Sequence, residues 1–211
     1  MLICMRRKCM TRLDEFKREC AAFLENSGLV EHRPLVFGQG PSEHPVLMLI
    51  GEAPGEQEAL QGRPFVGKAG RNLDAFLEAV HLRREEIYIT NVVKVRPSKI
   101  SPAGRVVNRP PSKEEKALFT PWLIREIGIV RPQAIVTLGN VALQAFMDDV
   151  IGNRHGRWSQ TVIQPSDEPV FTLPLFALYH PASVIYNGSL KETYAADLQR
   201  LADSLPVRTN G

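Results

Sequence analysis

The sequence of 211 residues carries 26 Lys and Arg against 23 Asp and Glu, a formal net charge of +3 at pH 7, and 44% of its residues are hydrophobic. A chain of this length can bury a sizeable core, so we expect an N-terminal extension with a helix at residues 1–30 and a single domain at residues 31–211. The small positive charge is compatible with a phosphate-rich partner but excludes a histone-like polycation.

The sequence has the features expected of a cytoplasmic protein. Its longest apolar runs, Val46–Ile50 and Ile135–Leu138, have the length of strands and are too short to cross a bilayer. The first residues are basic, but the apolar stretch and cleavage site of a secretory signal do not follow them. The three cysteines Cys4, Cys9 and Cys20 form no CxxC pair, and their odd number argues against a disulfide framework. We therefore expect a cytoplasmic location and no membrane partner.

Helical and strand patterns alternate along the chain. At residues 10–26, Leu13, Phe16, Cys20 and Phe23 recur at helical spacing between charged residues, which predicts an amphipathic helix. Continuous apolar runs predict strands covered on both faces at Pro45–Gly51, Glu86–Val92, Ala134–Gly139 and Leu175–Tyr179. Further helices are predicted at Ala69–Val80, Lys113–Val130, Asn140–Met147 and Lys191–Ser204.

This alternation predicts an α/β fold, a three-layer α/β/α sandwich around a mainly parallel central sheet of about four strands. We expect a small hairpin, Trp158–Ile163 followed by Val170–Leu173, to be inserted before the last strand. The segment Pro97–Pro111 is rich in proline and carries three basic residues. It is expected to be an extended, mobile, basic loop.

The densest group of chemically useful residues lies at Gly51–Gly70, directly after the first predicted strand, where open α/β sheets place their functional residues. Its glycines and prolines predict a loop without a regular element. The loop contains the carboxylates Glu52, Glu56 and Glu58, of which Glu56 is expected to be solvated, and the aromatic Phe65. An aromatic face can stack on a planar base, although an ordinary surface loop remains the alternative.

Five separated blocks together resemble the family 4 uracil-DNA glycosylases. The blocks are GEAPGEQEALQGRPFVGKAGRNLDAFL from Gly51, YITNVVKVRP from Tyr88, NRPPSKEE from Asn108, IVTLGNVAL from Ile135 and YHPAS from Tyr179. They occur in the order and spacing of the family, and the similarity extends from about Val36 to Leu201. The resemblance implies a DNA-repair enzyme that flips uracil out of DNA, hydrolyses its N-glycosidic bond, and leaves free uracil and an abasic site.

The resemblance also implies roles for individual residues. The expected catalytic residues are Glu52, beside the attacking water, and His180, facing the O2 atom of uracil. Phe65 would stack on the extruded base, Asn91 would bond its O4 and N3–H edge, and Glu58 would lie near C5. The residues expected to bind the base are Ala53, Gly55, Glu58, Phe65 and Asn91.

These residue types suit the implied chemistry. A base inside duplex DNA is inaccessible, so the enzyme must receive it in a shaped pocket. The amide of Asn91 offers a donor and an acceptor, which match uracil and mismatch cytosine, and each buried unpaired partner costs about 1–3 kcal/mol. A donor from His180 at O2, where negative charge develops, lowers the barrier by roughly 3–4 kcal/mol. Alone, either residue would be better explained as structural; the family pattern reverses that judgement.

DNA contacts are expected from loops rather than from a recognition helix. The resemblance places residues 180–188 where the base leaves the duplex, and Val184, Ile185 and Tyr186 offer bulk to fill the gap. Basic side chains, including Arg105, are candidates for salt-sensitive phosphate contacts, and a helix N-terminus is another phosphate seat. The full expected set is Lys94, Arg96, Asn108, Arg109, Gly139, Asn140, Pro181, Ala182, Ser183, Val184 and Ile185. We expect a monomer that binds single- or double-stranded DNA.

The sequence departs from the family at its cofactor. Most family members hold an iron–sulfur cluster on four cysteines. Here Val95 and Phe119 stand at two of the expected cysteine positions, and Phe23–Ser27, where the other pair is expected, contains no cysteine. We therefore expect no cluster, no other metal and no cofactor, with apolar packing in the cluster's place.

Three other functions stay open. A glycosylase of the same chemistry could accept hypoxanthine or xanthine. A DNA-binding protein that has lost turnover would keep the fold, but the intact set of Glu52, Phe65, Asn91 and His180 argues against it. A nucleotide hydrolase on the same scaffold would be expected to carry a GxxxxGK[ST] loop or a metal-ligand cluster, which the sequence lacks.

Overall fold

The chain forms alternating strands and helices. The computed structural model describes residues 10–27 and 33–205. The strands in this part of the chain are β1 (Leu47–Gly51), β2 (Ile87–Asn91), β3 (Ser98–Ile100), β4 (Val106–Asn108), β5 (Ile135–Leu138), β6 (Trp158–Ile163) and β7 (Phe171–Leu178). The helices are α1 (Arg12–Asn26), α2 (Glu56–Gln61), α3 (Gly67–Ala79), α4 (Lys113–Val130), α5 (Gly139–Gln144), α6 (Ile151–Arg154), α7 (Pro181–Tyr186) and α8 (Lys191–Ser204). None of these helices is long and apolar enough to cross a membrane.

The central sheet has the strand order β2-β1-β5-β7-β6. The first four of these strands are parallel, and β6 runs antiparallel to β7 at one edge. The predicted α/β sandwich with a mainly parallel sheet is therefore confirmed. The parallel strands end along one edge of the sheet, where Gly51 at the end of β1 pairs with Asn91 at the end of β2. Binding sites in such sheets form outside these carboxyl ends.

Helices cover both faces of the sheet. Successive side chains of a strand point to opposite faces, so Met48 and Ile50 of β1 pack with residues of α1, α4 and α5. Leu47 and Leu49 pack on the other face with residues of α3 and α8. Phe16 of α1 is buried in the first of these clusters, so the N-terminal helix is part of the packed body. The expected boundary near residue 30 lies outside the described residues.

The predicted inserted hairpin is wrong in one respect. Its second arm and the predicted last strand are one continuous strand, β7, which contains Pro174. The pairing of β7 with β5 begins only at Leu175, so up to Pro174 the strand is paired with β6 alone. A proline, which has no N–H to donate, is tolerated where a strand has one neighbour. The hairpin is therefore the antiparallel edge of the central sheet.

Two segments predicted to be irregular contain regular structure. The glycine-rich loop includes helix α2, which Gly55 precedes and Gly62 ends with a left-handed φ of 62°. These glycines bound the helix rather than exclude it, because glycine is the favoured residue just past a helix end. The segment at Pro97–Pro111 contains the antiparallel strands β3 and β4 rather than an extended loop.

Candidate active site

A cavity of about 520 Å³ opens at the carboxyl ends of β1 and β2. Part of its wall comes from the glycine-rich loop between β1 and α3, and part from the turn between β7 and α7. The predicted site residues that line it are Ala53, Gly55, Glu58, Phe65, Asn91, Asn108, His180 and Ala182. The sheet topology thus brings together side chains that lie up to 129 positions apart, from Ala53 to Ala182.

Gly51 allows the ring of Phe65 and the amide of Asn91 to meet. A Cβ atom on Gly51 would lie 2.4 Å from Asn91 Oδ1 and 2.8 Å from Phe65 Cζ, closer than any real side chain could fit. Both side chains are buried, with 6% of Phe65 and 3% of Asn91 exposed. The ring of Phe65 and the amide of Asn91 therefore lie close together in the lining of one cavity.

Phe65 is held in a conformation that its side chain disfavours. Its φ of 52° lies in the left-handed region, which costs roughly 1–2 kcal/mol for a residue with a Cβ. The next residue, Val66, donates its backbone N–H to Glu58 Oε1 at 3.0 Å, and Arg84 donates to the carbonyl of Pro64 at 3.2 Å. Such strain persists only where the surroundings impose it. Glu58, which lines the cavity, therefore also positions the aromatic ring.

A buried charged network lies behind Asn91. The ammonium of Lys94 donates to the backbone carbonyl of Asn91 at 2.7 Å, to Glu126 Oε2 at 2.6 Å and to Thr90 Oγ1 at 2.6 Å. Glu126 also accepts from the hydroxyl of Tyr88 at 2.9 Å. Lys94 and Glu126 are both 0% exposed. The predicted phosphate contact of Lys94 is therefore wrong, because its charge is used to hold the end of β2.

Only a weak signal in the sequence indicates this network. Glu126 lies in the apolar stretch that ends α4, where an acidic residue is unexpected unless it is paired. Burial and the neighbouring carboxylate of Glu126 raise the pKa of Tyr88 well above 10, so the tyrosine stays a hydrogen-bond donor. A buried ion pair is strongly destabilised by loss of one partner. The network therefore holds the backbone of Asn91 in place. The free-energy cost of burying its charges is offset only while all members of the network are present.

His180 has a defined tautomer. It is the N-cap of α7, and its Nδ1 atom accepts from the backbone N–H of Ala182 at 3.2 Å. A backbone N–H can only donate, so Nδ1 carries no proton and the proton of the neutral ring is on Nε2. Burial lowers the pKa of His180 below its usual 6.5. The ring therefore presents a neutral Nε2–H donor.

Glu52 lies in a second cavity that adjoins the first. This cavity, of about 390 Å³, shares Ala53, Gly55, Asn108 and His180 with its neighbour. Burial raises the pKa of the Glu52 carboxyl above 4.5, and Lys116 opposes that shift more weakly. Glu52 and His180 thus both line the second cavity, which has room for a water molecule.

The predicted DNA-binding arginines are engaged within the protein. Arg96 donates to Asn108 Oδ1 at 2.7 Å and to Glu56 at 3.1 Å. Glu56, which was expected to be solvated, is therefore paired with Arg96. Arg109 bonds both oxygens of Glu115, at 2.7 and 2.8 Å. This bidentate pair holds the pKa of Glu115 at about 2.

The segments after β5 and β7 also border the second cavity. Gly139, Asn140 and Ser183 line it, and α5 begins at Gly139, one residue before its predicted start at Asn140. The side-chain oxygen of Asn140 accepts from the backbone N–H of Ile151 at 2.7 Å, so it serves to join α5 to α6. Its amide nitrogen is the part that a ligand would meet.

The expected DNA-inserting loop begins as helix α7, with Pro181 at its first position. Val184 is only 9% exposed, so the prediction that it fills a gap in DNA is wrong for this conformation. Its burial follows from the helix, which turns this side chain inward. The side chains of Ile185 and Tyr186 lie outside the described part of the structure.

Four cavity residues were missed by sequence reasoning. Glu56, which was expected only to be solvated, lines the first cavity together with Gln57, Val66 and Asn72. Gln57 belongs to α2, which was not predicted, and Asn72 lies in the first turns of α3 among residues with ordinary helical spacing. Only the packing of α2 and α3 beside the strand ends reveals that their amides face the site.

Comparison with known proteins agrees with the geometry. The model of the uracil DNA glycosylase superfamily matches residues 37–202. The chain belongs to this superfamily. It is 34% identical to the type-4 uracil-DNA glycosylase of Archaeoglobus fulgidus, over 77% of this chain and 78% of that protein. It is 36% identical to the type-4 uracil-DNA glycosylase of Pyrobaculum aerophilum, over 72% and 74%, and 42% identical to that of Thermotoga maritima, over 54% and 55%.

The residues at the expected iron–sulfur positions do not fit a cluster. Val95 and Phe119 are fully buried and belong to the apolar core that contains Cys20. Nearby, the ring of Trp122 lies 5.4 Å from that of Phe23 and contacts others around it. The sequence holds three cysteines, one short of the usual four ligands. Apolar and aromatic packing fills this region instead.

Proposed function

We propose that the protein is a uracil-DNA glycosylase of base excision repair, which hydrolyses the N-glycosidic bond of uracil in DNA. The observation that carries this proposal is the convergence of Phe65 and Asn91 on one cavity, each in contact range of Gly51. The family and the type-4 uracil-DNA glycosylases that the chain resembles support the same conclusion.

Recognition requires that the base leave the duplex and enter the first cavity. There the ring of Phe65 stacks on the base while the Asn91 amide bonds its O4 and N3–H atoms. The network of Lys94 holds the backbone of Asn91 at the end of β2, so the buried amide meets the base from a fixed position. Cytosine would leave buried groups unpaired, at about 1–3 kcal/mol each.

Bond cleavage places negative charge on the departing base. The electron pair of the bond between C1′ and N1 moves to uracil, and O2 becomes anionic. The Nε2–H of His180 stabilises this charge as a neutral donor whose orientation is preset by Ala182. Such preorganised donors lower the activation barrier of bond cleavage by roughly 3–4 kcal/mol.

Hydrolysis is completed at the junction of the two cavities. A water molecule attacks C1′ of the sugar cation, and the carboxylate of Glu52 accepts its proton. The raised pKa of Glu52 makes the carboxylate a better base than an exposed glutamate. Uracil leaves after taking a proton from solvent, and an abasic site remains.

The second cavity is proposed to take the sugar and its flanking phosphate. Gly139, Asn140 and Ser183 border it, with Arg109 beside them. Ala182 lines the first cavity, and Arg96 bonds Asn108, which lines both cavities. These contacts hold the strand while the base occupies the first cavity. Pro181 is buried, so the expected DNA contact of this residue is wrong.

We further propose that residues 31–211 form the catalytic domain and that the protein acts as a cytoplasmic monomer without an iron–sulfur cluster. Apolar burial of Val95 and Phe119 supports the absence of the cluster. The residues assigned to the reaction all lie in one chain, so the proposed chemistry requires no second copy. The few cysteines suit a reducing compartment.

The test is a single-turnover assay of uracil release from oligonucleotides by the purified protein. We expect free uracil and an alkali-labile abasic site, with cytosine and thymine untouched, and no iron–sulfur absorption in the visible spectrum. Hypoxanthine and xanthine oligonucleotides and deoxyuridine monophosphate complete the panel. Release of other bases without uracil, or of uracil from the monophosphate alone, would overturn the proposal.

A further inference from the structure

We propose that the β3–β4 hairpin is a second DNA-binding element, which lies in a groove of the duplex beside the extruded nucleotide. The inference rests on the proposed function, because it takes DNA as the partner of the neighbouring cavities. It assigns the contact to Ile100, Val106, Lys99 and Arg105, none of which the catalytic steps use.

The hairpin is a formed structure rather than a loose loop. Ser101 and Arg105 close its turn with a backbone hydrogen bond of 2.8 Å, and the Ser101 hydroxyl accepts from the Arg105 N–H at 3.1 Å. Gly104, with a φ of 73°, supplies the left-handed residue that the turn needs. A preformed element can bind without the cost of being ordered.

The apolar side chains of the hairpin share a face with a cavity residue. In the antiparallel register Ile100 pairs with Val106, and Ser98 pairs with Asn108. Alternation along strands puts these two pairs on one face, and Asn108 lines both cavities. Ile100 is 75% exposed and Val106 is 55% exposed. An apolar pair thus extends the rim of the site into solvent.

The charge of this region suits a nucleic-acid backbone. Residues 87–113 contain six Lys and Arg and no Asp or Glu. Lys94, Arg96 and Arg109 of this set are paired with carboxylates of other segments. Lys99 and Arg105 are exposed on the hairpin, and neither forms an ion pair with any residue that the structure describes. Two cations without an internal partner, beside a site that takes DNA, are available for phosphates.

The hairpin is fixed to the site at its base. Arg96 donates to Asn108 Oδ1 at 2.7 Å and Arg109 donates to the carbonyl of Ser98 at 3.1 Å. Pro97, which precedes β3, lines the second cavity. The position of the hairpin relative to the cavities is therefore set, so a duplex seated over them must meet it.

A two-stranded ribbon is narrow enough to enter a DNA groove. With Ile100 and Val106 toward the bases and sugars, the longer side chains of Lys99, on the opposite face of the ribbon, and of Arg105, at its turn, can reach the phosphates that border the groove. Single-stranded DNA has no groove, so the hairpin contributes to duplex binding and little to single-strand binding. This difference separates the hairpin from the base cavity, which serves both substrates.

The test compares affinities for a duplex that carries an uncleavable abasic analogue and for its single strand. The Ile100→Ser/Val106→Ser variant should weaken duplex binding by about tenfold. The Lys99→Ala/Arg105→Ala variant should reduce the slope of log K against log salt by about 1.8 for the duplex. Single-strand binding and single-strand uracil release should stay within about twofold of the wild type.

Matched controls are available on the same chain. Val162 and Val170 are 62% and 57% exposed at the other end of the sheet, and Lys17 and Arg18 lie on α1. Serine and alanine variants of these pairs should leave duplex binding unchanged. Wild-type duplex affinity in both hairpin variants, or equal losses on both DNA forms, would overturn the proposal. Because binding is measured without turnover, a failure to release uracil would count against the proposed function and leave this comparison intact.

Discussion

The Nδ1 atom of His180 accepts a hydrogen bond from the backbone N–H of Ala182 at 3.2 Å. The bond removes a choice of tautomer, because it leaves the proton of the neutral ring on Nε2. Since burial also lowers the pKa of His180, the ring is neutral near pH 7. The turn after β7 therefore presents the Nε2–H of His180 in a direction that is fixed before substrate binds. This donor acts mainly when negative charge develops on O2 of the departing base.

We predict that His180→Ala lowers the single-turnover rate of uracil release by about 10²–10³-fold, the effect of losing one oxyanion donor. Affinity for uracil DNA should change by less than about threefold, because the donor matters mainly in the transition state. The control is His81→Asn, in an exposed turn outside the site. Equal losses of rate and affinity in His180→Ala would indicate a binding role instead.

Asn91→Asp should reduce uracil release and raise the ratio of cytosine to uracil release. A carboxylate loses the N–H donor that faces uracil O4, and when protonated it offers a donor and an acceptor in the arrangement that cytosine needs. Release of each base from otherwise identical oligonucleotides measures the ratio. If the selectivity of the variant equals that of the wild type, Asn91 does not read the base.

Gly51→Ala should block the first cavity. The new Cβ would lie 2.4 Å from Asn91 Oδ1 and 2.8 Å from Phe65 Cζ, so both side chains must move. Displacements of this size cost about 10²-fold in rate. Gly152→Ala is the control, because its Cβ would meet no atom within 4 Å. Full activity in Gly51→Ala would show that the ring and amide need not meet.

Substitutions in the Lys94–Glu126 pair should affect both the stability of the protein and its discrimination of uracil from cytosine. Lys94→Met leaves Glu126 buried without its cation and should lower the free energy of unfolding by about 3–5 kcal/mol. Adding Glu126→Gln removes that charge and should recover part of the stability, since the amide oxygen can still accept hydrogen bonds. The double variant should nevertheless discriminate uracil from cytosine less well, because Asn91 has lost the contact to its carbonyl. Wild-type selectivity in the double variant would limit the pair to a structural role.

The rate of bond hydrolysis should fall at acid pH. Burial raises the pKa of Glu52 above 4.5, and the active form is the carboxylate, so activity is present above that pKa and lost as the pH drops through it. A single-turnover pH profile of the wild type should show this fall in rate at acid pH. Glu52→Gln should be slow at all pH values and should not show the fall. If the fall persists in Glu52→Gln, it is caused by titration of another group.

The layers of the fold and the placement of functional loops at strand ends followed from sequence because apolar runs and helical spacing are local patterns. The continuous burial along β1 was visible as an apolar run. Helix α2 was missed because its bounding glycines were taken as evidence against regular structure. The predicted segments Val170–Leu173 and Leu175–Tyr179 lie on either side of Pro174, whereas β7 runs through it. A strand can include this proline because it is paired on one side only, which depends on where β5 begins, and no local pattern records that.

Site residues could be predicted where the family pattern gives the residue type a defined chemical role. They could not be predicted where packing determines whether a side chain is buried or exposed. Phe65, Asn91 and His180 were named from the family resemblance, and the structure places them around one cavity. Lys94 was assigned to phosphate because a lysine in a basic segment usually faces solvent. Its burial depends on Glu126, which lies 32 positions later in another element. No sequence pattern indicates that these two residues are in contact.

The most direct measurement is a crystal structure of the protein with duplex DNA that carries 2′-fluoro-2′-deoxyuridine, a nucleotide that resists formation of the sugar cation. We predict an extruded uracil whose ring centroid lies about 4.5–7 Å from that of Phe65. Its O4 and N3 atoms should lie about 2.7–3.2 Å from the Asn91 amide, and O2 should lie at the same range from His180 Nε2. A uracil that remains stacked in the duplex, or that binds away from Phe65 and Asn91, would contradict the proposed function at its foundation.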